Sequence, residues 1–426
     1  MESLVTSWRT VTLGELGADQ KHSFSTGPFG SSISKKFFRE SGVPVIRGSN
    51  LSQAVDVRLN DEGLVFVEQE HASKFKRSMV QEGDLIFTCW GTVGQVGLVS
   101  ASNKFDSYLI SNKQMKMTPC GETVNPRFLY YLLSSPRMIH EVASQAIGTS
   151  VPGFNLGQLK DLVVHLPELD TQETIAEVLQ SFDDLIENNR RRIEVLEEMA
   201  RLLYREWFVH FRFPGHEGVE MVDSGLGPIP QGWTVGEFAS LVSESKETVS
   251  EDDVPFGSPV VGLEHLPRRS TTLKTWDLAN DVGSRRKVFE KGDILFGKIR
   301  PYFHKVVDAP IGGYSSTDAI VFRPATAAQR ALCVAASDEF VAAAVATSNG
   351  TKMPRANTEL LLRYPIPVPD DAISDQFETQ LAPMSNLRRN LAEQNRVLRE
   401  ARDLLLPRLV SGELDVSDLD LGEVLA

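Results

Sequence analysis

QETIAEVLQSFDDLIENNRRRIEVLEEMARLLYREWF, residues Gln172–Phe208, carries apolar side chains in alternating steps of three and four. This is the spacing of a coiled-coil seam, because residues at these steps fall on one face of a helix. No glycine or proline interrupts the stretch. At about 1.5 Å per residue it predicts a rod roughly 55 Å long, which exceeds what one ordinary domain packs. We therefore expect a partner helix elsewhere in the chain.

A second helical stretch near the end of the chain repeats the first. Leu179 and Leu203 have leucines at the equivalent positions, Leu381 and Leu405. This agreement predicts two long helices of common origin that pair along their seams. The predicted seam residues are Ile175, Leu179, Phe182, Ile186, Asn189, Ile193, Leu196, Leu203, Trp207, Phe377, Leu381, Leu391, Asn395, Leu398 and Leu405.

The second seam is less regular than the first. Arg388 and Arg402 place charges on it, and Pro383 lies inside it. Pro407 is expected to end or kink the helix, because proline lacks the backbone donor that the helix needs.

The domains that precede the two helices also repeat. GTSVPGFN at Gly148–Asn155 returns as GTKMPRAN at Gly350–Asn357, and Gly83–Phe87 returns as Gly292–Phe296. Short β-rich runs and helical stretches in each copy predict an α/β (α+β) class. The predicted order is domain 1 over residues 1–167, a first long helix over 168–212, a linker with domain 2 over 213–369, a second long helix over 370–411, and an acidic tail over 412–426.

Composition narrows the function classes. The 426 residues carry a formal net charge of −13, but most of it falls in the two helical segments and the tail, so the domains are near neutral. The start is no signal peptide, and no apolar run is long enough to span a membrane, so we expect a cytoplasmic protein. Cys89, Cys120 and Cys333 are far apart and have no metal-site spacing.

The sequence contains none of the common catalytic signatures. We find no P-loop, no dinucleotide-binding glycine motif and no zinc-protease motif. Asn125–Phe128 (NPRF) resembles an amino-methyltransferase motif, but its third residue is arginine. An asparagine cap followed by proline at the first helical position is the better interpretation.

The loops do contain side chains that are suited to binding a nucleic acid. Basic and hydroxyl side chains on loops suit contacts to phosphates and to base edges, although any one of them could be an ordinary surface residue. The predicted DNA-contacting residues of domain 1 are Ser31, Ser32, Lys35, Lys36, Arg47, Lys74, Lys76, Arg77, Trp90 and Thr92. Those of domain 2 are Arg268, Arg269, Arg285, Arg286, Lys298, Arg300, His304, Lys352 and Arg355.

The sequence resembles the specificity subunits of type I restriction–modification systems over nearly its whole length. The segments that carry the resemblance are Thr26–Ser32, Gly42–Gly48, Gly83–Val99, Gly292–Val306, Ser316–Arg323, both GTxxPxxN blocks, Asn188–Pro214 and Leu404–Leu414. The resemblance implies two target-recognition domains, each reading one half of a bipartite double-stranded DNA site. It fixes no individual base-reading residue.

The resemblance also implies partners. The long helices would separate the domains and hold two modification subunits, which bring S-adenosylmethionine and methylate adenine N6. Restriction subunits would add ATP- and Mg-dependent translocation and cleavage. The specificity subunit itself would hold no cofactor or metal and would not catalyse a reaction.

Two alternatives stay open. One is a methyltransferase with internal recognition domains, which S-adenosylmethionine binding by the isolated chain would support. The other is a coiled-coil scaffold with two peptide-binding domains, which the absence of DNA binding would support.

We expect the helices to pair antiparallel with pseudo-twofold symmetry. One register sets Asn189 beside Asn395 and Trp207 beside Phe377. Leu185, Val195, Met199 and Leu202 form a second apolar face that could shift the pairing. The length of the helices is expected to set the gap between the half-sites.

Overall fold

The structure is a computed structural model that describes residues 8–148, 152–280, 283–350 and 352–416. Parts of both GTxxPxxN blocks and the end of the acidic tail lie outside these ranges. The chain divides into two compact units: Met1–Ile186 with Leu398–Ala426 forms unit 1, and Glu187–Val397 forms unit 2. Each unit joins strands and short helices to a segment of each long helix, so the predicted mixed α/β class is confirmed.

Unit 1 is built on two four-stranded sheets. The first has the order Phe24–Thr26, Gln114–Met117, Leu85–Thr88, Val96–Leu98, and all of its pairs are antiparallel. The second has the order Val65–Val67, Val43–Ile46, Ser107–Ile110, Met79–Gln81, with its two central strands parallel. A separate pair joins Arg9–Thr12 to Val163–Leu166. Val43–Ile46 and Leu85–Thr88 are central strands that are buried along their length, which explains why their sequences are almost entirely apolar.

The short helices of unit 1 are Gln69–Ser73, Pro126–Leu133, Pro136–Gln145 and Leu156–Asp161. The Asn125 side chain accepts hydrogen bonds from the backbone N–H groups of Arg127 and Phe128, and Pro126 takes the first helical position. The NPRF sequence is therefore a helix start, as its cap chemistry predicts.

Unit 2 has a four-stranded and a five-stranded sheet. The first has the order Val242–Glu244, Ala319–Pro324, Ile294–Gly297, Val306–Asp308. The second has the order Thr248–Val249, Arg286–Phe289, Gly313–Ser316, Pro259–Val261, Asp277–Leu278. Two further pairs join Thr234–Glu237 to Pro365–Val368 and Met221–Val222 to Ile229–Pro230. The short helices are Ala328–Ala335, Asp338–Ala346 and Thr358–Leu362.

The two units share their strand connectivity. In the first sheet of each unit, one strand follows the Gly-Asp turn: Leu85–Thr88 in unit 1 and Ile294–Gly297 in unit 2. In both sheets this strand lies between the strand that comes next along the chain and the strand that comes last in that sheet. In the second sheets, the parallel pair of unit 1 has a parallel counterpart in Pro259–Val261 and Gly313–Ser316. This agreement supports the internal repeat inferred from the sequence.

The long helices are Leu169–Tyr204, which continues into a π-helical turn at Arg205–Val209, and Asp371–Val410. Within each unit their segments run antiparallel. In unit 1, Ile175 and Leu409 lie in the same apolar core. In unit 2, the rings of Trp207 and Phe377 have centroids 5.5 Å apart, as the predicted register requires.

The predicted seam residues are all buried or half-buried. Asn189 donates a hydrogen bond of 3.5 Å to Oε1 of Gln394. Gln394 directly precedes Asn395, which the register predicts as the partner of Asn189. The second apolar face predicted on the first helix is exposed, so it does not compete for the pairing within either unit.

One expectation about the end of the second helix is wrong. The second helix does not stop or break at Pro407 but continues to Val410. Proline removes only one helical donor, and burial of Leu406 and Leu409 in the core of unit 1 holds the turn in place. The residues directly after the helix also pack on unit 1, because Val416 is buried in that core.

Cys89, Cys120 and Cys333 are free thiols. Burial raises the pKa of Cys89 to about 11 and that of Cys333 to about 12, so both thiols stay protonated at neutral pH. In the described ranges, no helix combines the length and apolarity that crossing a membrane requires.

Candidate nucleic-acid interface

In unit 1, the loop that carries Cys89 and Gly91 is tied to two other loops. The N–H of Cys89 donates to the Lys113 carbonyl at 2.8 Å, and the N–H of Gly91 donates to the Pro152 carbonyl at 3.2 Å. The N–H of Phe154 returns a bond to the Cys89 carbonyl at 2.9 Å. We call these three bonds the unit 1 junction. They fix loops from distant parts of the chain into one edge of the domain.

A cavity of about 430 Å³ opens beside the unit 1 junction. It brings together three of the predicted DNA-contacting residues, Arg47, Trp90 and Thr92. The remaining lining is Ile33, Phe38, Val45, Gly48, Ser49, Thr88, Gly91, Gln95, Ser111, Asn112, Lys113 and Gln114. Its hydroxyl, amide and cationic groups can donate hydrogen bonds to acceptors on a nucleic acid.

Trp90 is the most prominent side chain at this edge. Its side chain is half exposed, and a Cβ at Gly153 would lie only 2.6 Å from the indole ring. The ring therefore rests against a position where only glycine leaves room. An exposed aromatic ring held in this way suits contact with a thymine methyl group or a stacked base.

The other predicted residues of domain 1 lie outside this cavity. The backbone carbonyl of Ser32 accepts a hydrogen bond from His71 at 2.8 Å, and Lys36 lies over the Phe37 ring at 4.7 Å. Lys74 pairs with Glu70 at 3.7 Å on an exposed helix. The remaining members are exposed and make no shared site with the cavity, namely Ser31, Lys35, Lys76 and Arg77.

Unit 2 repeats the junction with different residues. The N–H of Lys298 donates to the Asp318 carbonyl at 2.9 Å, and the N–H of Arg300 donates to the Pro354 carbonyl at 2.7 Å. The N–H of Ala356 returns a bond to the Lys298 carbonyl at 2.9 Å. These three bonds form the unit 2 junction.

The unit 2 junction gathers three predicted DNA-contacting residues, Lys298, Arg300 and Arg355. Arg355 pairs through its backbone with Ile299 and lies 3.7 Å from the Asp318 carboxylate. Three cations against one carboxylate leave this edge positively charged.

His304 is held by contacts within unit 2, and its role as a DNA contact stays a prediction. The side chain is buried, and Nε2 donates to the Ala336 carbonyl at 2.8 Å. Arg269 pairs with Asp338 at 3.0 Å beside it. Both residues line a cavity of about 540 Å³ together with residues of both long helices, and none of the three junction cations lines it.

The remaining candidates of domain 2 do not join the junction contacts. The guanidinium of Arg268 lies over the Phe303 ring at 4.1 Å. Arg285 is exposed, Arg286 is half-buried in a strand, and Lys352 is exposed. Their roles stay predictions.

Buried ion pairs join the sheet domain of unit 1 to both long helices. Arg402 donates to Asp183 at 2.7 Å, and Asp183 also accepts from the Tyr131 hydroxyl at 2.7 Å. Arg399 donates to Asp56 at 3.1 Å. We call this cluster the unit 1 anchor. Because each buried carboxylate meets a guanidinium, neither charge is left without compensation.

Unit 2 has a corresponding anchor. Arg388 and Arg389 donate to the two carboxylate oxygens of Asp308, at 2.5 and 2.6 Å. Glu197 of the first helix accepts from the Thr272 hydroxyl at 2.6 Å and lies 3.8 Å from Arg388. Arg388 and Arg402 make the second seam less regular in the sequence. In the structure they are the residues that bind each domain to the long helices.

A sequence signal for the anchors exists, although periodicity alone does not reveal it. Asp183 and Glu197 recur at the same spacing as Arg388 and Arg402, and each acid lies beside a seam position of the first helix. Matching acid spacing on one helix with arginine spacing on an antiparallel partner predicts two ion pairs.

Glu264, His265 and Asp277 place three potential metal-ligand atoms within 4.8 Å of one another. His265 Nδ1 accepts the backbone N–H of Gly262 at 2.9 Å. Neutral His265 therefore carries its proton on Nε2, which faces Asp277 at 3.5 Å. A ring nitrogen that holds a proton cannot bind a cation, so this cluster is better described as a hydrogen-bonded turn.

Comparison with known proteins shows which proteins the chain is similar to. Residues 7–198 match the model of the type I restriction modification DNA specificity domain. The chain is 25% identical over 348 residues to the MjaIX specificity subunit of Methanocaldococcus jannaschii, covering 79% of each. It is 22% identical over 307 residues to the EcoDI specificity subunit of Escherichia coli, covering 63% of this chain and 68% of that one.

A crystal structure of the S subunit of a type I restriction–modification system from M. genitalium has the same fold. The TM-score is 0.56 at 13% identity, over 96% of this chain and 99% of that one. At this identity the likeness concerns the fold alone. Together with the matches in sequence, it shows what the chain is similar to: residues 7–198 match a type I restriction–modification specificity domain, and the chain resembles specificity subunits over most of its length.

Proposed function

We propose that this chain reads a bipartite, asymmetric DNA site, with one half-site contacted at each junction. The single observation that carries the proposal is the pair of junctions. They share their backbone hydrogen bonds but present different side chains, such as Trp90 in unit 1 and Arg300 in unit 2. A common scaffold with different surface chemistry is what two different half-sites require.

DNA binding by the isolated chain is expected to be weak. The net charge of −13 repels the phosphate backbone, while positive charge is concentrated at small sites such as the unit 2 junction. Partner subunits would supply further cations, so affinity of the complex should fall steeply as salt is raised.

In this proposal the long helices carry two modification subunits, which bind S-adenosylmethionine and methylate adenine N6. Restriction subunits with ATP and Mg would join the same complex, and the chain itself would not catalyse a reaction. Support comes from Val195, Met199 and Leu202, which follow one another at helical spacing and are each about half exposed, at 58%, 49% and 48%. An exposed apolar row of this kind is typical of a protein interface.

The partner proposal is tested by purification of the chain with its modification subunit. Met199→Asp should abolish the complex, because it places a charge in the apolar row while leaving the buried seam intact. Leu360→Asp, at an exposed position on a short helix, should leave assembly unchanged. Normal assembly of Met199→Asp would remove this surface from the proposal.

The DNA proposal is tested by fluorescence anisotropy with the assembled complex and short duplexes that carry its methylated motif. We expect specific binding that depends on both half-sites. Methyl transfer by the highly purified chain alone would favour the methyltransferase alternative. Absence of DNA binding by the assembled complex would favour the scaffold alternative.

A further inference from the structure

We infer that Arg300 is a specificity-determining residue of unit 2 and reads a guanine in its half-site through its guanidinium group. The inference rests on the proposed function and deepens it, since it names the base and the group that contacts it. Three observations carry it: the equivalence of the junctions, the backbone conformation at Arg300, and the surroundings of its side chain.

The junctions identify the equivalent of Arg300 in unit 1. Arg300 donates its N–H to Pro354, and Gly91 donates its N–H to Pro152. Pro152 and Pro354 occupy the same place in the two GTxxPxxN blocks. Gly91 and Arg300 are therefore the same position of the repeated scaffold, with a side chain in one unit and none in the other.

The backbone at this position is left-handed in both units. The φ angle is +94° at Gly91 and +50° at Arg300. Glycine adopts such angles freely, whereas any residue with a Cβ meets steric repulsion there. A side chain retained at such a position costs stability, and strained residues of this kind cluster at functional sites.

His304 is a second residue of the same loop with a left-handed backbone, and its side-chain contacts explain why the conformation is tolerated there. His304 has φ +55° and is the equivalent of Gly94, since the residues that follow them, Lys305 and Gln95, accept matching backbone bonds. The imidazole of His304 is buried and bonds to a backbone carbonyl, which offsets its strain. The Nε atom of Arg300, in contrast, is buried without a hydrogen-bond partner in the described part of the chain.

The surroundings favour a ligand with hydrogen-bond acceptors. The junction carboxylate, Asp318, lies 3.7 Å from Arg355, and no ion pair joins it to Arg300 among the described residues. Guanine presents two acceptors, N7 and O6, in the major groove, and arginine meets both at once. The half-buried position at a tied junction restricts the guanidinium to few directions, which suits a base edge better than a phosphate.

The test uses Arg300→Gly in the complete chain, assembled with its modification subunits. The substitution installs the residue that unit 1 has at this position, so the backbone conformation is retained and the fold should be at least as stable. Methylation rates are measured on duplexes in which each base pair of both half-sites is changed in turn. We expect discrimination at one G·C pair of the unit 2 half-site to fall about 5- to 150-fold. Discrimination at every position of the unit 1 half-site should remain unchanged.

Arg300→Lys and Arg363→Ala are the matched variants. The first keeps the charge but loses the planar fork, so it should lose much of the same discrimination. The second removes an exposed arginine that pairs with Glu359, and it should have no effect. Equal weakening of all sequences by Arg300→Gly, with a smaller salt dependence, would identify a phosphate contact and overturn the inference. Unchanged discrimination would also overturn it, while a wild-type complex without a bipartite motif would instead refute the proposed function.

Discussion

Arg402 shows how a charged residue can occupy a helical seam. Its side chain is 2% exposed, and its guanidinium donates to the equally buried carboxylate of Asp183. Removing charges from water is costly, and a buried pair offsets this cost only when hydrogen bonds satisfy both partners. Here the Tyr131 hydroxyl provides a further bond to Asp183.

Arg402→Met should therefore destabilise unit 1 by about 3–5 kcal/mol, because it removes the guanidinium that donates to the buried Asp183 carboxylate and leaves only Arg58, 3.6 Å away, as a cation. Urea unfolding followed by circular dichroism measures the change. The double variant Asp183→Leu/Arg402→Met should regain most of the loss. Arg201→Met is the control, since its pair with Glu198 is exposed and should cost less than about 1 kcal/mol. A loss of similar size in the control would contradict the account.

Asp56 gives the anchor a dependence on pH. Burial opposes ionisation, but Arg399 and Arg402 outweigh it and hold the pKa of the Asp56 carboxyl below its ordinary value. As the pH falls below that ordinary value of about 3.9, the unfolded chain takes up the proton first, so stability is lost. Above it, the contribution is fully present.

We expect the free energy of unfolding to decrease as the pH falls below about 4, and Asp56→Asn to make this decrease shallower. Denaturant titrations at several pH values provide the measurement. The same slope in the variant and the wild type would show that Asp56 does not carry the effect.

At this scale the sequence predicts which face of a helix a residue occupies, but not which side chain it meets. The arginines at 388 and 402 have the correct period for the seam, and their partners come from distant segments. Asp308, for example, ends the strand Val306–Asp308, which lies about 80 residues before its two arginine partners in the sequence. Ion pairs between distant segments follow from tertiary packing, which periodicity does not contain.

The loop at the unit 1 junction acts as one element, because Trp90 fills the space above Gly153. A Cβ at that position would lie 2.6 Å from the ring, so Gly153→Ala must displace the indole. We expect weaker methylation of sites that carry the preferred unit 1 half-site and a shift of tryptophan fluorescence. Reading of the unit 2 half-site should be unaffected.

Gly121→Ala is the matched control, since no atom lies within 4 Å of a Cβ built there. It should leave both the fluorescence and the methylated motif unchanged. A normal motif for Gly153→Ala, despite a displaced Trp90, would show that the indole does not read DNA.

The elements themselves were predictable where local signals are strong. The cap and proline at Asn125 and Pro126 mark a helix start, and the period of three and four marks the long helices. The sequence interpretation missed Ser107–Ile110 and Gln114–Met117, which are buried yet short and carry mixed polar residues. Their identity as strands depends on pairing with distant neighbours, which local propensity does not register.

At the scale of the whole molecule, one repeated unit has produced two domains with the same connectivity and different surfaces. The candidate sites could be predicted as basic loops, but the junctions could not, because they join three segments through backbone bonds. That the length of the helices sets the gap between the half-sites stays a prediction.

The central claim is that two different junctions read two different half-sites. It is tested most directly by sequencing methylated adenines genome-wide in cells that express this chain with its modification subunit. We predict one motif made of two unlike half-sites separated by a fixed number of unspecified bases. A continuous motif, a palindrome, or the same methylation in cells without this chain would contradict the account.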